Sequence, residues 1–286
     1  MAYSSFRELE AAAARSGSLG AAAIAREVDE TDVTEDAVRE RLEATLAVME
    51  ESLAEGLAAD RRSRSGLTGQ DASRLAGSSG RITGPAFAEA LAGALAVAEL
   101  NAAMGRIVAA PTGGSSGVVP GVLFASARRL DSTRGQLVEA LAAAGAVGAV
   151  IAARAALSGA AAGCQAEIGA AAAMAAAAAV ELAGGSPAAS GHAAAIALQG
   201  QMGLVCDPVG GLVEVPCVAR NATGAAVALA AAELALAGMT FPIPFDEVAD
   251  AMAAVGRSLP PSLREMAGGG LAVTPTGREL GARARK

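Results

Sequence analysis

Three thiols and one glycine–serine loop are the groups in this 286-residue chain whose types and spacing could do chemistry. Cys206 and Cys217 stand eleven positions apart in GLVCDPVGGLVEVPCVARNA (203–222), and Cys164 lies upstream in GCQAE (163–167). Prolines 208 and 216 and the pair Gly210–Gly211 interrupt the segment, where a helix could not continue. An odd number of cysteines argues against a disulfide framework. Spacing leaves two readings open: buried thiols that behave as small hydrophobes, or a soft-metal site. There is no CxxC pair and no histidine nearby, which disfavours zinc relative to iron. Asp207, beside Cys206, reads as a turn former.

The second group is PTGGSSG, residues 111–117. Successive backbone N–H groups of Thr112, Gly113, Gly114, Ser115 and Ser116 could form a nest for a small anion such as a carboxylate. A plain turn between two helices fits equally well. Asn101 and Arg106, in ELNAAMGR just before the loop, could add donors to the same anion. His192 is the only histidine; it falls inside a predicted helix, away in sequence from these loops, and reads as a packing or surface residue.

Composition removes other chemistries. The only lysine is Lys286, so no internal lysine is present to carry a pyridoxal-phosphate Schiff base or to complete a Walker-type phosphate loop. A net charge of −7, with five Phe, one Tyr and no Trp, argues against nucleic-acid binding, which needs cations and stacking platforms. The longest strongly apolar runs, 140–153 and 168–180, are shorter than the ~20 residues that span a bilayer core. The charged opening, MAYSSFRELEAAAARSG, lacks a signal-peptide core. A cytosolic protein with no membrane segment is expected.

The elements that must position these groups read as helices. Hydrophobic residues make up 53% of the chain but aromatics only 2%, so alanine-rich helices in close approach are expected. Val38, Leu42, Leu46, Met49, Leu53 and Leu57 recur at helical steps behind Thr34, a candidate N-cap. RRSRSGLTGQDASRLAGSSGRITG (61–84) follows as a linker or a mobile active-site loop. Further helices are predicted at 85–100, 121–130, 133–156, 165–183, 187–199, 222–237 and 245–256, with Ser186–Pro187 as a start signal. No window alternates like a strand. The expected fold is all-α, a compact Ala/Gly-rich helical domain with functional loops between helices, in which residues 1–60 form an N-terminal helical segment ahead of a catalytic domain at 61–286.

In order along the chain, NAAMGRIVAAPTGGSSGVVPGVL, GCQAEIGAAAAMAAAAAVE, GLVCDPVGGLVEVPCVARNA and GGLAVTPTGR closely resemble the α chain of bacterial iron–sulfur-dependent L-serine dehydratase. The resemblance runs from about residue 60 to the C-terminus. It implies that Cys164, Cys206 and Cys217 hold a [4Fe–4S] cluster, and that one of its four irons lacks a protein thiolate. That iron would act as a Lewis acid on the β-hydroxyl of L-serine while a base removes the α-proton. The aminoacrylate formed would tautomerise to an imine, which water converts to pyruvate and ammonia without pyridoxal phosphate.

Single-chain members of the family carry a β segment ahead of the α region, and nothing resembling it occurs in this sequence. The expectation is therefore a separate β subunit that supplies the base, and a hetero-oligomer. Some relatives also have a cysteine near the C-terminus that covers the open iron; no cysteine follows Cys217 here. The substrate carboxylate is expected on the nest read above, Thr112, Gly113, Gly114, Ser115 and Ser116, with Asn101. Two other readings stay open: an L-cysteine desulfidase of the same chemistry, and a non-catalytic helical scaffold with packed thiols.

Overall fold

A computed structural model describes residues 3–58, 60, 62–78 and 80–284; Lys286 lies outside the described residues. The chain forms α1 (Phe6–Ser16), α2 (Leu19–Thr31), α3 (Glu35–Ala58), α4 (Asp71–Ala76), α5 (Pro85–Ala102), α6 (Val118–Leu130) and α7 (Arg134–Arg154). It continues as α8 (Gly159–Ala162), α9 (Ile168–Leu182), α10 (Pro187–Gly200), α11 (Cys217–Leu236), α12 (Phe245–Ser258) and α13 (Pro275–Ala284). Among the described residues there is no strand, only one isolated bridge between Cys206 and Arg264. The fold is all-α, as the sequence predicts.

Capping explains most helix starts. The side chains of Ser5, Ser18, Thr133, Ser158 and Ser186 each accept an N–H three residues on, satisfying donors that have no intrahelical partner. Thr34 does the same for Ala37 at 3.2 Å, ahead of the amphipathic α3. α1 and α2, which the sequence reading does not separate, are divided at Gly17, whose φ of 96° ends α1.

The core is built on α9, in which every residue except Glu181 is buried. Four helices surround it: α6, α7, α10 and α11. Methyl-sized side chains let these axes come close together. At Gly121 of α6, a Cβ would stand 2.6 Å from the Ala94 nitrogen and 2.7 Å from the Ala90 oxygen of α5, so only glycine permits that crossing. α7 is long and apolar enough to cross a membrane by length and composition, but 67% of that window is buried against other helices.

The start of α2 rests on α9. The Glu181 carboxylate accepts the Leu19 N–H at 2.9 Å and the Gly20 N–H at 2.8 Å, where a helix N-terminus favours an anion. Burial nevertheless pushes the Glu181 pKa up to about 7.

Three boundaries differ from the sequence reading. The helix expected at 121 starts at Val118, ahead of Pro120, because a proline in the first turn lacks only an N–H that has no helical acceptor. The helix expected from 165 starts at Ile168, since Cys164–Ala166 form a separate 3-10 turn. The helix expected from 222 starts at Cys217, directly after Pro216.

The 61–84 connection is anchored rather than free. α4 packs on α5, with the Asp71 N–H donating to Glu99 at 2.8 Å. Ser65 Oγ donates to Glu214 Oε2 at 2.5 Å, tying the connection to the segment between the two downstream cysteines.

Candidate functional site

The three thiols converge at one end of α9 and α11. Cys164 opens the 3-10 turn between α8 and α9, Cys206 lies in the loop after α10, and Cys217 is the first residue of α11. They are 3%, 3% and 8% exposed, and none forms a disulfide. Cys217 thus projects from a helical turn, not from the non-helical loop that its proline neighbours suggest.

Buried polar side chains fix the three segments. Gln165, fully buried, donates to Ala162 O at 2.9 Å and Met252 O at 3.2 Å and accepts the Gly203 N–H at 2.8 Å. The Cys206 N–H donates to Leu263 O at 2.9 Å, and Cys206 O accepts the Glu265 N–H at 2.8 Å. Asn221, one turn into α11, donates to Cys217 O at 2.9 Å and Gly114 O at 2.8 Å and accepts the Gly117 N–H at 2.9 Å. A single amide therefore ties the start of α11 to the 111–117 loop.

Charge is supplied by Arg220, which lies one turn after Cys217. Its Nη2 meets Asp207 Oδ1 at 2.8 Å, and its Nη1 donates to Val205 O at 2.9 Å. Asp207 Oδ2 accepts the Leu271 N–H at 2.7 Å. The Asp207 and Arg220 side chains are only 3% and 14% exposed. Asp207 is accordingly a buried ion-pair partner rather than a turn former, and it also holds the C-terminal GGGLAV segment. Sequence reasoning missed Arg220; its signal is an arginine at i+3 from a cysteine that opens a helix.

The hydrogen bond from the Cys206 thiol holds Cys164 below the usual thiol range despite its burial, with Arg220 assisting. The Cys206 thiol is pushed far up by donating that bond and by burial. Burial, followed by the Cys164 charge, pushes the Cys217 thiol up to about 12. Two of the three thiols thus stay protonated at neutral pH unless a metal displaces their protons.

Among the described residues, no group of three His, Cys, Asp or Glu is gathered as a single-ion site. Three thiols are nevertheless the soft donor type that iron–sulfur clusters take, one thiolate to an iron. Gly159 adds a cradle: a Cβ there would stand 2.6 Å from Glu167 Oε2 and 2.8 Å from Cys206 Sγ.

The 111–117 loop lies beside the thiols. Thr112 caps the 3-10 turn Gly113–Ser115. Ser115 is fully buried and bonds back to Thr112 and Ala110, while the equally buried Ser116 Oγ has no hydrogen-bond partner. Gly113 and Gly114 are half-buried, and among the described residues neither N–H has an acceptor. Asn101 donates to Gly113 O at 3.0 Å, so its amide shapes the loop. Arg106 does not join them. Its chain reverses at Met104, φ 64°, and its side chain is 74% exposed, 3.8 Å from Glu51. His192 sits in α10, where Nδ1 accepts the Phe241 N–H at 3.2 Å, and serves packing.

Glu167 was also missed. It follows Cys164 by three residues in GCQAE, and Thr112 Oγ1 donates to its Oε1 at 2.7 Å. Burial pushes its carboxyl above the usual range, against that hydrogen bond and assisted by the Glu265 charge.

Comparison with known proteins places this arrangement. The family model described as "Serine dehydratase alpha chain" matches residues 9–272. The chain is 52% identical over 260 residues to the probable L-serine dehydratase, alpha chain, of Bacillus subtilis (strain 168), covering 90% of this chain and 86% of that protein. It is 41% identical over 257 residues to the L-serine dehydratase, alpha chain, of Peptoniphilus asaccharolyticus, covering 89% and 88%. Against L-serine dehydratase TdcG of Escherichia coli (strain K12) it is 45% identical over 183 residues, which are 63% of this chain but 40% of that protein.

Proposed function

The chain belongs to the serine dehydratase alpha-chain family and is an L-serine dehydratase alpha subunit; we propose that it works as a [4Fe–4S]-dependent L-serine ammonia-lyase completed by a separate β chain. One observation carries the cluster reading: three buried, unbridged thiols on separate segments face one another beside a buried arginine. Cys164, Cys206 and Cys217 would hold the group. When bound, it would supply Lewis acidity to the β-hydroxyl of L-serine through an iron that lacks a protein thiolate.

The remaining work falls to side chains and backbone. The N–H groups of Gly113 and Gly114 would receive the substrate carboxylate, in a loop shaped by Asn101 and Asn221 and held from within by Ser115, while the Thr112 hydroxyl is committed to Glu167. Arg220, paired with Asp207, also lies close enough to Cys164 to favour its thiolate form. Loss of the α-proton and of β-hydroxide gives aminoacrylate, which tautomerises and hydrolyses to pyruvate and ammonia. His192, the only histidine, lies in α10 and accepts the Phe241 N–H, which supports a base supplied by the β chain. Relatives named as alpha chains match this protein over most of their length, whereas it covers 40% of the Escherichia coli protein, which supports a second chain. An odd number of cysteines, which argues against a disulfide framework, supports a cytosolic setting.

The test is anaerobic purification and reconstitution, iron and acid-labile sulfide analysis, and turnover of L-serine and L-cysteine with and without the β chain. A cluster-bearing alpha chain that becomes active on L-serine only with its β partner is the expected result. A colourless, iron-free protein after reconstitution would overturn the cluster. Faster turnover of L-cysteine would establish the desulfidase reading instead.

A further inference from the structure

Two carboxylates lie among the three thiols, and only one has a cation. Asp207 is neutralised by Arg220 at 2.8 Å. Glu167 receives the Thr112 hydroxyl at Oε1, and among the described residues no arginine forms an ion pair with it. Its Oε2 and Cys206 Sγ flank the same point, 2.6 and 2.8 Å from the position of a Cβ on Gly159. On its other side, Oε1 stands 3.2 Å from the position of a Cβ on Gly114. The carboxylate therefore lies between the thiols and the backbone of the 111–117 loop, with solvent access remaining to Glu167.

A carboxylate in this place is a like charge to any thiolate beside it. Such an arrangement is stabilised when a cation enters. Gly114, whose N–H suits an anion together with that of Gly113, adjoins Glu167 directly, and Thr112 bonds to it. An acceptor of positive charge and donors for negative charge, side by side, match the two charged ends of an α-amino acid zwitterion.

We propose that Glu167 binds the α-ammonium group of the substrate and so selects α-amino acids over α-hydroxy acids. The inference rests on the dehydratase reading above. Thr112 takes part by donating to Oε1, which leaves Oε2 directed toward the ammonium. Gly159 keeps the approach clear.

Direct binding to the anaerobic, cluster-reconstituted complex with its β chain tests this, by calorimetry with L-alanine and with L-lactate. Both lack the β-hydroxyl, and they differ only at the α-substituent. In Glu167→Gln the Kd for L-alanine should rise about 10- to 100-fold, the range for a hydrogen bond to a charged group. The Kd for L-lactate should stay within about twofold in the same scale of reasoning, at unchanged iron and sulfide content. Parallel weakening of both ligands, or no change in either, overturns the proposal. If Glu167→Gln does not hold iron, Glu167→Asp decides by the same ratio, because it keeps the charge but shortens its reach. Loss of iron in both variants would assign Glu167 to support of the thiols and overturn ammonium binding. A wild-type complex that lacks iron or does not turn over L-serine would instead remove the dehydratase reading itself.

Discussion

Replacing Arg220 by methionine removes a buried cation while keeping a flexible apolar stem. In the folded chain Asp207 is 3% exposed and would retain only the Leu271 N–H as partner. Removing one member of a buried ion pair costs about 3–5 kcal/mol, because the remaining charge is left without compensation. Val205 is only half-buried, so water can replace the lost Nη1 bond and adds little to that figure. At ~2 cal/mol/K per residue of unfolding entropy, a chain of 286 residues should lose about 5–8 °C of Tm. The assay is urea and thermal denaturation of the reduced, metal-free protein, carried out for Arg220→Met, Asp207→Asn and the double variant. Asparagine keeps an acceptor for the Leu271 N–H and removes the charge. The double variant should recover most of the stability, giving a coupling of at least ~2 kcal/mol. Single-variant effects that add to within ~0.5 kcal/mol would refute the view that these charges act as one buried pair.

Gly159→Ala should abolish cluster loading while the helical circular dichroism is retained, since its Cβ would occupy space beside Cys206 Sγ; normal iron content would remove Gly159 from the cradle. Cys217→Ser should lose iron, because two protein thiolates remain, and full iron with activity would exclude Cys217 as a ligand. Gly121→Ala should cost ~1–3 kcal/mol by forcing α5 and α6 apart, and an unchanged melting curve would contradict that crossing. Glu181, with its carboxyl raised to about 7, contributes stability that is fully present below its unfolded pKa near 4.3 and is lost as pH rises through 7. The loss is on the order of 3 kcal/mol, and Glu181→Gln should flatten the slope of stability between pH 5 and 8; equal slopes would show that the carboxyl is not buried as drawn.

The helices expected at 85–100, 133–156 and 187–199 stand at 85–102, 134–154 and 187–200, and Ser186–Pro187 marks the start of the last of them in the sequence. The starts at Val118 and Cys217 were not legible, since Pro120 and Pro216 resemble breakers until their place in the first turn is known. The N-terminal segment 1–60 is expected to be helical but is not divided by the sequence reading into α1, α2 and α3, although Ser5 and Ser18 cap the first two and Phe6, Leu9, Ala12 and Ala13 bury one face of α1.

The candidate site divides in the same way. Residue type and order sufficed to single out Cys164, Cys206, Cys217 and the 111–117 loop, because soft sulfur and glycine–serine backbone carry their chemistry in themselves. Type also excluded an internal lysine. Tertiary structure alone decided that Asp207 is paired with Arg220, that Asn101 shapes the loop, and that Arg106 turns away to Glu51. It likewise set Glu167 between Thr112 and the thiols, with no arginine paired to it among the described residues. The physical reason is that charge and hydrogen bonding depend on which groups face one another after burial. Segments 55 residues apart, such as those of Thr112 and Glu167, acquire that relation only when the helices pack.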